Sequence, residues 1–295
     1  MFEIPVDADV TAIIGHMTSG AMTNVWPKVK DLGMVFLSPT VSTPELEKQK
    51  DNFFRLIPVN SYPSSNLAIY AFKELKIRKV AIFYETSNLS FTETYSDGFS
   101  SVFQEYGGEI VAYYPFLSLD NPDFAPLLQE AKDANVDGLF IIASAVDTAL
   151  LVQQAHLLEL DVPILTSNWA FTEDLIQNGG RAVDGILTVV SHDENNQTPA
   201  YLSFKESFLA RFGRKPTFAA GYGYEAVMVL SAALEKTGGL KEGLAEALLE
   251  TKDFPGVHGN ISLDAYGDVQ RTLYLLTIEN GKMKTIRSME INIEQ

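Results

Sequence analysis

The most constraining feature of the sequence is the regular alternation of short apolar runs and longer amphipathic segments over residues 78–190. Each run has the length of a strand buried on both faces, and each intervening segment suits a helix. Five strands with four crossover helices predict a doubly wound parallel sheet, whose ligands bind beyond the carboxyl ends of the strands. The predicted strands are 80–84, 110–114, 138–143, 162–166 and 185–190, and the predicted helices are 95–106, 123–134, 147–160 and 172–178.

The rest of the chain predicts a second, smaller unit. The first sixty residues hold only two strand patterns, 10–15 and 34–38, around one helix that begins near Gly20. Three helical patterns without new strands follow Pro199, namely 201–212, 218–236 and 240–249. Because two strands make a poor sheet, we expect these helices to return and cover it.

This order implies two lobes and three crossings between them, near Asn60, His192 and Asp264. The predicted boundaries are 1–59 for the first lobe, 60–192 for the second, 193–263 for the return to the first, and 264–295 mainly for the second. Strands 273–279 and 283–287 close the chain. An Asn280-Gly281 turn predicts a tight hairpin between these two strands.

Composition excludes several classes of function. The chain of 295 residues carries 38 acidic and 22 basic residues, a formal charge of −16 that repels nucleic acid and anionic membranes. No cysteine is present, so thiol chemistry, disulfides and cysteine-held metals are excluded. The four histidines lack metal-ligand spacing, and no phosphate-binding glycine loop or nucleophile elbow occurs. We therefore expect a protein without cofactor or catalysis.

Four stretches resemble a known family. They are 13–19 (IIGHMTS), 37–46 (LSPTVSTPEL), 95–99 (YSDGF) and 252–259 (KDFPGVHG) followed by 264–268. Together they are similar to the branched-chain amino-acid (Leu/Ile/Val) binding proteins of ABC transporters, which have the type I periplasmic-binding fold. The resemblance implies two doubly wound α/β lobes joined by three hinge crossings. It also implies an extracytoplasmic receptor, free or lipid-anchored, that hands a small molecule to a membrane permease.

The resemblance also raises an expectation about the beginning of the first lobe. The family has two βα units ahead of the segment that matches here, and residues 1–5 (MFEIP) lack the pattern of a signal peptide. We therefore expect an incomplete first lobe and about 60 further upstream residues with a secretion signal. A ligand-sensing receptor or regulatory domain of the same fold is the alternative function, and that upstream sequence would discriminate the two.

The resemblance implies ligand contacts from three residues of the first lobe. Ser19 precedes a helix, and Thr40 and Ser42 follow the neighbouring strand. Hydroxyls, backbone N–H groups and a helix N-terminus there would hold a ligand carboxylate. Capping of the following helices is the alternative role of the two serines.

In the second lobe the sequence departs from the amino-acid binders. Ser144 stands where the family often has a tyrosine, and Asn168 stands where it has the carboxylate that binds the ligand's ammonium. Both differences remove anchors for a cation. Asp147 could replace that carboxylate, but helix capping is its expected role.

Aromatic residues complete the predicted site. Tyr95 and Trp169 follow strand ends in the second lobe, where they would either cover an apolar ligand or pack between loop and helix. Phe218 and Tyr222, on the segment that returns to the first lobe, are weaker candidates. The stretch 87–94 is longer than the family's loop, and forms either part of the cleft rim or surface decoration.

Overall fold

The structure is a computed structural model that describes residues 10–118 and 122–289. Their strands form three sheets, of three, three and seven strands. Within these residues no helix has both the length and the apolar character needed to cross a membrane.

Three short parallel strands and one helix come first. These elements are β1 (Ala12–Ile14), α1 (Ser19–Val29), β2 (Val35–Ser38) and β3 (Phe53–Arg55). The strands lie in the order β1-β2-β3, so the prediction of only two strands here is wrong. β3 has only three residues and ends on a charged side chain, a pattern that does not read as a buried strand. Among the described residues β1 pairs with β2 alone, and Ile14 is 39% exposed.

Five parallel strands with their helices follow and confirm the predicted βα repeat. The helix α2 is not predicted, and α3 begins at Leu89 rather than at Tyr95. The elements are α2 (Ser61–Lys73), β4 (Lys79–Glu85), α3 (Leu89–Glu105), β5 (Glu109–Phe116), α4 (Ala125–Asp133), β6 (Gly138–Ile142), α5 (Ala145–Leu157), β7 (Ile164–Thr166), α6 (Glu173–Gly179) and β8 (Leu187–Val190).

Three helices and a small antiparallel sheet come next. The helices confirm the three helical patterns after Pro199, whereas the sheet is not predicted because its strands have only two to five residues. The elements are α7 (Pro199–Phe212), α8 (Phe218–Thr237), α9 (Leu244–Leu249), β9 (Phe254–Gly256), β10 (Gly259–Leu263) and β11 (Val269–Gln270).

A hairpin of β12 (Leu273–Glu279) and β13 (Lys282–Met289) completes the largest sheet, whose order is β13-β12-β8-β7-β6-β4-β5. Asn280 and Gly281 have φ angles of 52° and 68°, as the predicted hairpin turn requires. Because β11 still pairs with β10, the chain reaches the large sheet only after Gln270. The third crossing therefore lies later than the predicted position near Asp264.

Apolar side chains project from both faces of each parallel sheet. In β2, Val35 and Leu37 pack against α8 and α9, whereas Phe36 packs against α1, so the helices after Pro199 do return to the first sheet. In the large sheet, α4, α5 and α6 cover one face while α2 and α3 cover the other. We call the small parallel sheet with α1, α7–α9 and β9–β11 the first lobe, and the large sheet with α2–α6 the second lobe.

Candidate functional site

The loops that follow β1 and β2 lie side by side at the carboxyl ends of the strands. The hydroxyl of Thr40 donates to the carbonyl oxygen of Met17 at 2.5 Å. The hydroxyl oxygen of Ser19 accepts the backbone N–H of Ser42 at 3.3 Å. These bonds hold the predicted first-lobe residues together, because each bond joins one loop to the other.

Neither Ser19 nor Ser42 caps a helix, although both are only 2% exposed. The neighbouring Thr18 accepts a backbone N–H at the start of α1, and Thr43 does the same for the short 3₁₀ helix Pro44–Leu46. The capping alternative for the two serines is therefore wrong, since threonines perform that role.

The two serines present hydrogen-bond donors. Because Ser19 Oγ accepts a bond from the backbone, its own proton remains available to donate. Ser42 Oγ has no partner among the described atoms. Ser19 is also the first residue of α1, where the helix dipole favours negative charge. This surface suits an acceptor such as a carboxylate.

Ser42 and Asn168 line one small cavity between the lobes, with a volume of about 10 Å³. Three side-chain atoms at this cavity have no hydrogen-bond partner within the described residues: Ser42 Oγ, Asn168 Oδ1 and Asn60 Oδ1. A space of this size holds about one water-sized group. No charged side chain is among the lining residues, which are Ser42, Ile57, Pro58, Asn60, Pro63, Asn168, Val189, Val190, Ser191 and Leu273.

Ser144 and Asp147 form a closed pair at the start of α5. Ser144 Oγ accepts the backbone N–H of Asp147 at 3.2 Å and donates to its carboxylate at 2.7 Å. The hydroxyl of Ser118 also donates to this carboxylate, at 3.0 Å. The N-cap is therefore Ser144, so the prediction that Asp147 caps this helix is wrong. Ser144, the predicted site residue, and Asp147, the alternative anchor for an ammonium, thus already have hydrogen-bond partners within the protein.

Tyr95 belongs to the core of the second lobe. It lies inside α3 rather than at a helix start, it is fully buried, and its ring packs against Phe91 and Phe140. Burial raises the pKa of its phenol above the ordinary value. Trp169 differs because it is only half-buried, with its ring edge-on to Phe91 at 5.9 Å. Of the two predicted aromatic contacts, Trp169 alone lies partly exposed beside Asn168.

Tyr222 and Phe218 lie beside the second crossing. The hydroxyl of Tyr222 lies 2.7 Å from Ser191 Oγ and donates to the Ser191 carbonyl at 3.0 Å. Burial raises the pKa of Tyr222 to about 12. Phe218, half-buried at the start of α8, stacks on the ring of His192 at 6.0 Å. Tyr222 thus bonds α8 to the crossing, whereas Phe218 lines a groove between the lobes.

That groove, with a volume of about 480 Å³, separates α6 from the segment before α8. An ion pair of 2.8 Å between Lys215 and Glu173 spans it. Burial favours a raised pKa for Glu194 at its wall, but the hydrogen bond and charge of His192, with Lys205 and Lys215, lower that pKa below the ordinary value. The groove is therefore charged, in contrast to the small cavity.

A network of polar groups joins the crossings to α8. Arg271 donates to the Leu56 carbonyl at 2.8 Å and to the Glu225 carboxylate at 2.6 Å. The same carboxylate accepts the backbone N–H of His258 at 2.8 Å. Burial, followed by the charges of His192 and Arg271, holds the pKa of His258 well below its ordinary value. Sequence reasoning missed this network, whose members lie far apart along the chain.

Two α/β lobes, three crossings between them and polar groups at facing strand ends define a two-lobed protein with a cleft between its lobes. Within residues 10–118 and 122–289, no group of three or more histidine and acidic side chains is placed to hold a metal ion. The family described as periplasmic binding protein matches residues 6–282. The chain belongs to this family.

Similar proteins agree with this assignment and confirm the predicted type I fold. Leu/Ile/Val-binding protein homolog 3 of Brucella melitensis is 22% identical over 275 residues, which span 92% of this chain and 73% of that protein. The leucine-binding protein LivK of Thermotoga maritima is 27% identical with a TM-score of 0.87, covering 95% of this chain and 80% of that one. An R. palustris solute-binding protein in complex with benzoate is 20% identical, with a TM-score of 0.84 and coverages of 95% and 77%.

Proposed function

We propose that this chain is the solute-binding protein of an ABC transporter, which captures a small carboxylate-bearing molecule between its lobes and delivers it to a permease. The family supports the transport role and its place outside the cytoplasm. Hinge closure of two lobes around a ligand needs no bond-making step, so no enzymatic reaction is proposed. The carboxylate is assigned to Ser19, Ser42 and the start of α1, with the backbone of Thr40 beside them.

We further infer that the ligand lacks an ammonium group. The observation that carries this inference is the small cavity lined by Asn168 and Ser42, in which no lining side chain is charged. An ammonium taken out of water is best held by a compensating negative charge. No carboxylate lines this cavity, whose unpartnered acceptors are the neutral Asn168 and Asn60 amide oxygens and the Ser42 hydroxyl. Leucine, for which one similar protein is named, carries an ammonium, whereas the benzoate bound by another does not.

Aromatic carboxylates belong to the proposed ligand class. Trp169 and Phe218 are both half-buried, so part of each ring surface is accessible. Phe218 lines the interlobe groove, and Trp169 follows Asn168 of the small cavity. Flat apolar ligands gain from such ring surfaces when the lobes close. Benzoate and related acids therefore join short aliphatic acids as the ligands to test first.

Pairs of ligands that share the acid group and differ in the ammonium test how each group affects binding. Titration calorimetry would compare leucine with 4-methylpentanoate and phenylalanine with 3-phenylpropanoate, with benzoate as an additional probe. We expect the acids without an ammonium to bind and their amino-acid counterparts to bind far more weakly. Leucine, valine or isoleucine binding with a Kd of about 1 µM or tighter would contradict the proposed ligand class.

A broader screen tests the binding function itself. Carboxylates, amides and amino acids would be added to the purified protein in a thermal-shift assay. A ligand at a hundredfold excess over its Kd stabilises the folded state by about 2.7 kcal/mol, which raises the melting temperature measurably. No shift with any compound of this screen would count against a transport receptor.

A further inference from the structure

The start of α3 contacts the first lobe across the cleft. The Oδ1 atom of Asn88 accepts the backbone N–H of Gly20 at 2.9 Å, and the hydroxyls of Thr23 and Ser90 lie 2.9 Å apart. Gly20 is in the first turn of α1, where backbone N–H groups have no partner within the helix. An amide from the second lobe therefore satisfies a donor one residue from Ser19.

A second contact joins the same part of α3 to the loop that carries Ser42. The side-chain nitrogen of Asn60 donates to the Phe91 carbonyl at 3.1 Å and to the Thr94 hydroxyl at 2.8 Å. The backbone N–H of Asn60 donates to the Ser42 carbonyl at 2.8 Å. Residues 88–94 are thus bonded directly to the start of α1 and, through Asn60, to the loop that carries Ser42.

The two lobes approach each other closely where the start of α3 meets α1. A Cβ atom on Gly20 would lie only 3.0 Å from Asn88 Oδ1. Asn88, Ser90 and Thr23 are half-buried, so their bonds lie at the rim of the cleft rather than inside the cavity. None of the three side chains lines the small cavity. These residues therefore make contacts between the lobes and not with a ligand.

We propose that Asn88 and Ser90 form an interlobe latch that holds the clamp closed. The inference rests on the proposed function, because a latch matters only in a protein whose lobes separate to exchange a ligand. Bonds present only in the closed form raise the population of that form, and the apparent Kd falls in proportion. Both are positioning residues, since they act through closure.

The sequence offers a direct, ligand-independent test. It contains no cysteine, so two introduced cysteines would carry the only spin labels. Lys28→Cys on α1 and Gln104→Cys on α3 are exposed positions on the two lobes, and pulsed electron resonance would report their separation. We expect Asn88→Ala to move population toward longer distances. Asn88→Asp should preserve the closed distances, because its carboxylate still accepts the Gly20 N–H at a helix N-terminus.

Ligand kinetics give the second readout, with benzoate as the probe. Each lost hydrogen bond should weaken binding about two- to tenfold, through faster dissociation rather than slower association. Asn178→Ala is the matched control, since Asn178 is exposed and its side chain donates to the Asp174 carbonyl on its own helix. Unchanged distances and an unchanged dissociation rate in Asn88→Ala would overturn the latch. Failure of benzoate to bind the parent protein would instead count against the proposed ligand class, and the distance measurement would still decide the latch.

Discussion

The hydroxyl oxygen of Ser19 accepts the backbone N–H of Ser42 at 3.3 Å, which joins the start of α1 to the loop after β2. This bond fixes the direction of the Ser19 hydroxyl, whose proton then points away from the accepted N–H. Ser42 Oγ, without a partner in the described residues, lies in the neighbouring loop. A single acid group can therefore receive bonds from both loops.

Replacement of either serine tests that assignment. Hydrogen bonds to a charged group contribute about 1.5–3 kcal/mol, so Ser19→Ala or Ser42→Ala should weaken binding of the acid about ten- to a hundredfold. Calorimetric titration with the best-binding acid would measure the change. Ser207→Ala, at an exposed position on α7, is the control and should bind as the parent does. Unchanged affinity in both site variants would remove the serines from the site.

Asn168 should set the choice between acids and amino acids. A carboxylate at this position could pair with an ammonium, so Asn168→Glu should improve leucine binding relative to benzoate by tenfold or more, about 1.4 kcal/mol. Asn168→Gln keeps the added length without the charge and should leave the ratio of the two Kd values unchanged. Equal ratios in the two variants would show that the charge of this residue does not govern specificity.

His258 predicts a loss of stability in mild acid. An unfolded histidine takes up its proton near pH 6.5, whereas burial and the charges of His192 and Arg271 keep folded His258 neutral to lower pH. The contribution of neutral His258 to the free energy of unfolding is therefore complete above about pH 6.5. It is lost, by up to about 1.4 kcal/mol per pH unit, as the pH falls from there to the pKa of the folded state.

Urea unfolding at several pH values between 5 and 8 would measure this loss. His258→Gln should flatten the pH dependence over that interval, since its side chain takes up no proton. The control is His156→Gln, because His156 is exposed on α5. A His258→Gln slope as steep as that of the parent would place the titrating group elsewhere.

The pair of Arg55 and Asp268 should be essential for stability. Arg55 is fully buried in β3, its Nε lies 2.5 Å from the Asp268 carboxylate, and it also donates to the Thr43 carbonyl at 2.7 Å. Asp268→Ala leaves that cation unpaired in the interior, at a cost of about 3–5 kcal/mol in unfolding free energy. The exposed pair of Lys284 and Glu279 provides the comparison, where Glu279→Gln should cost about 1 kcal/mol or less. Similar losses in the two variants would contradict the buried role.

The predictable part of the fold is the part in which local pattern and burial agree. The strands β4 to β8 are short apolar runs buried on both faces, and periodicity identifies them. The start of α3 was not predicted because Ser90, Thr92 and Thr94 read as loop. In the structure the hydroxyl of Thr94 donates to the Ser90 carbonyl at 2.8 Å, so the helix accommodates them by local bonding.

Placement of the candidate site residues was predictable where they directly follow strand ends, as Asn168 does after β7 in the second lobe. Ser19 and Ser42 follow strand ends, and topology brings strand ends together. Tyr95 was misplaced because its position depended on the wrong helix start. Asn60 and Asn88 carry no local signal, since their importance comes from which residues of the other lobe lie opposite them.

The order in which the chain visits the two lobes gives the molecule an interlocked construction. If the gene were divided in the exposed stretch around residue 197, the first piece would hold β1 to β8 and the second would hold α7 to α9 with the β12–β13 hairpin. The first piece would hold the small parallel sheet without α8 and α9, which cover one of its faces, and the large sheet without its β12–β13 edge, so neither piece could bury its apolar surface alone. The two polypeptides would thus fold only when they associate, and recovery of ligand binding would report that association.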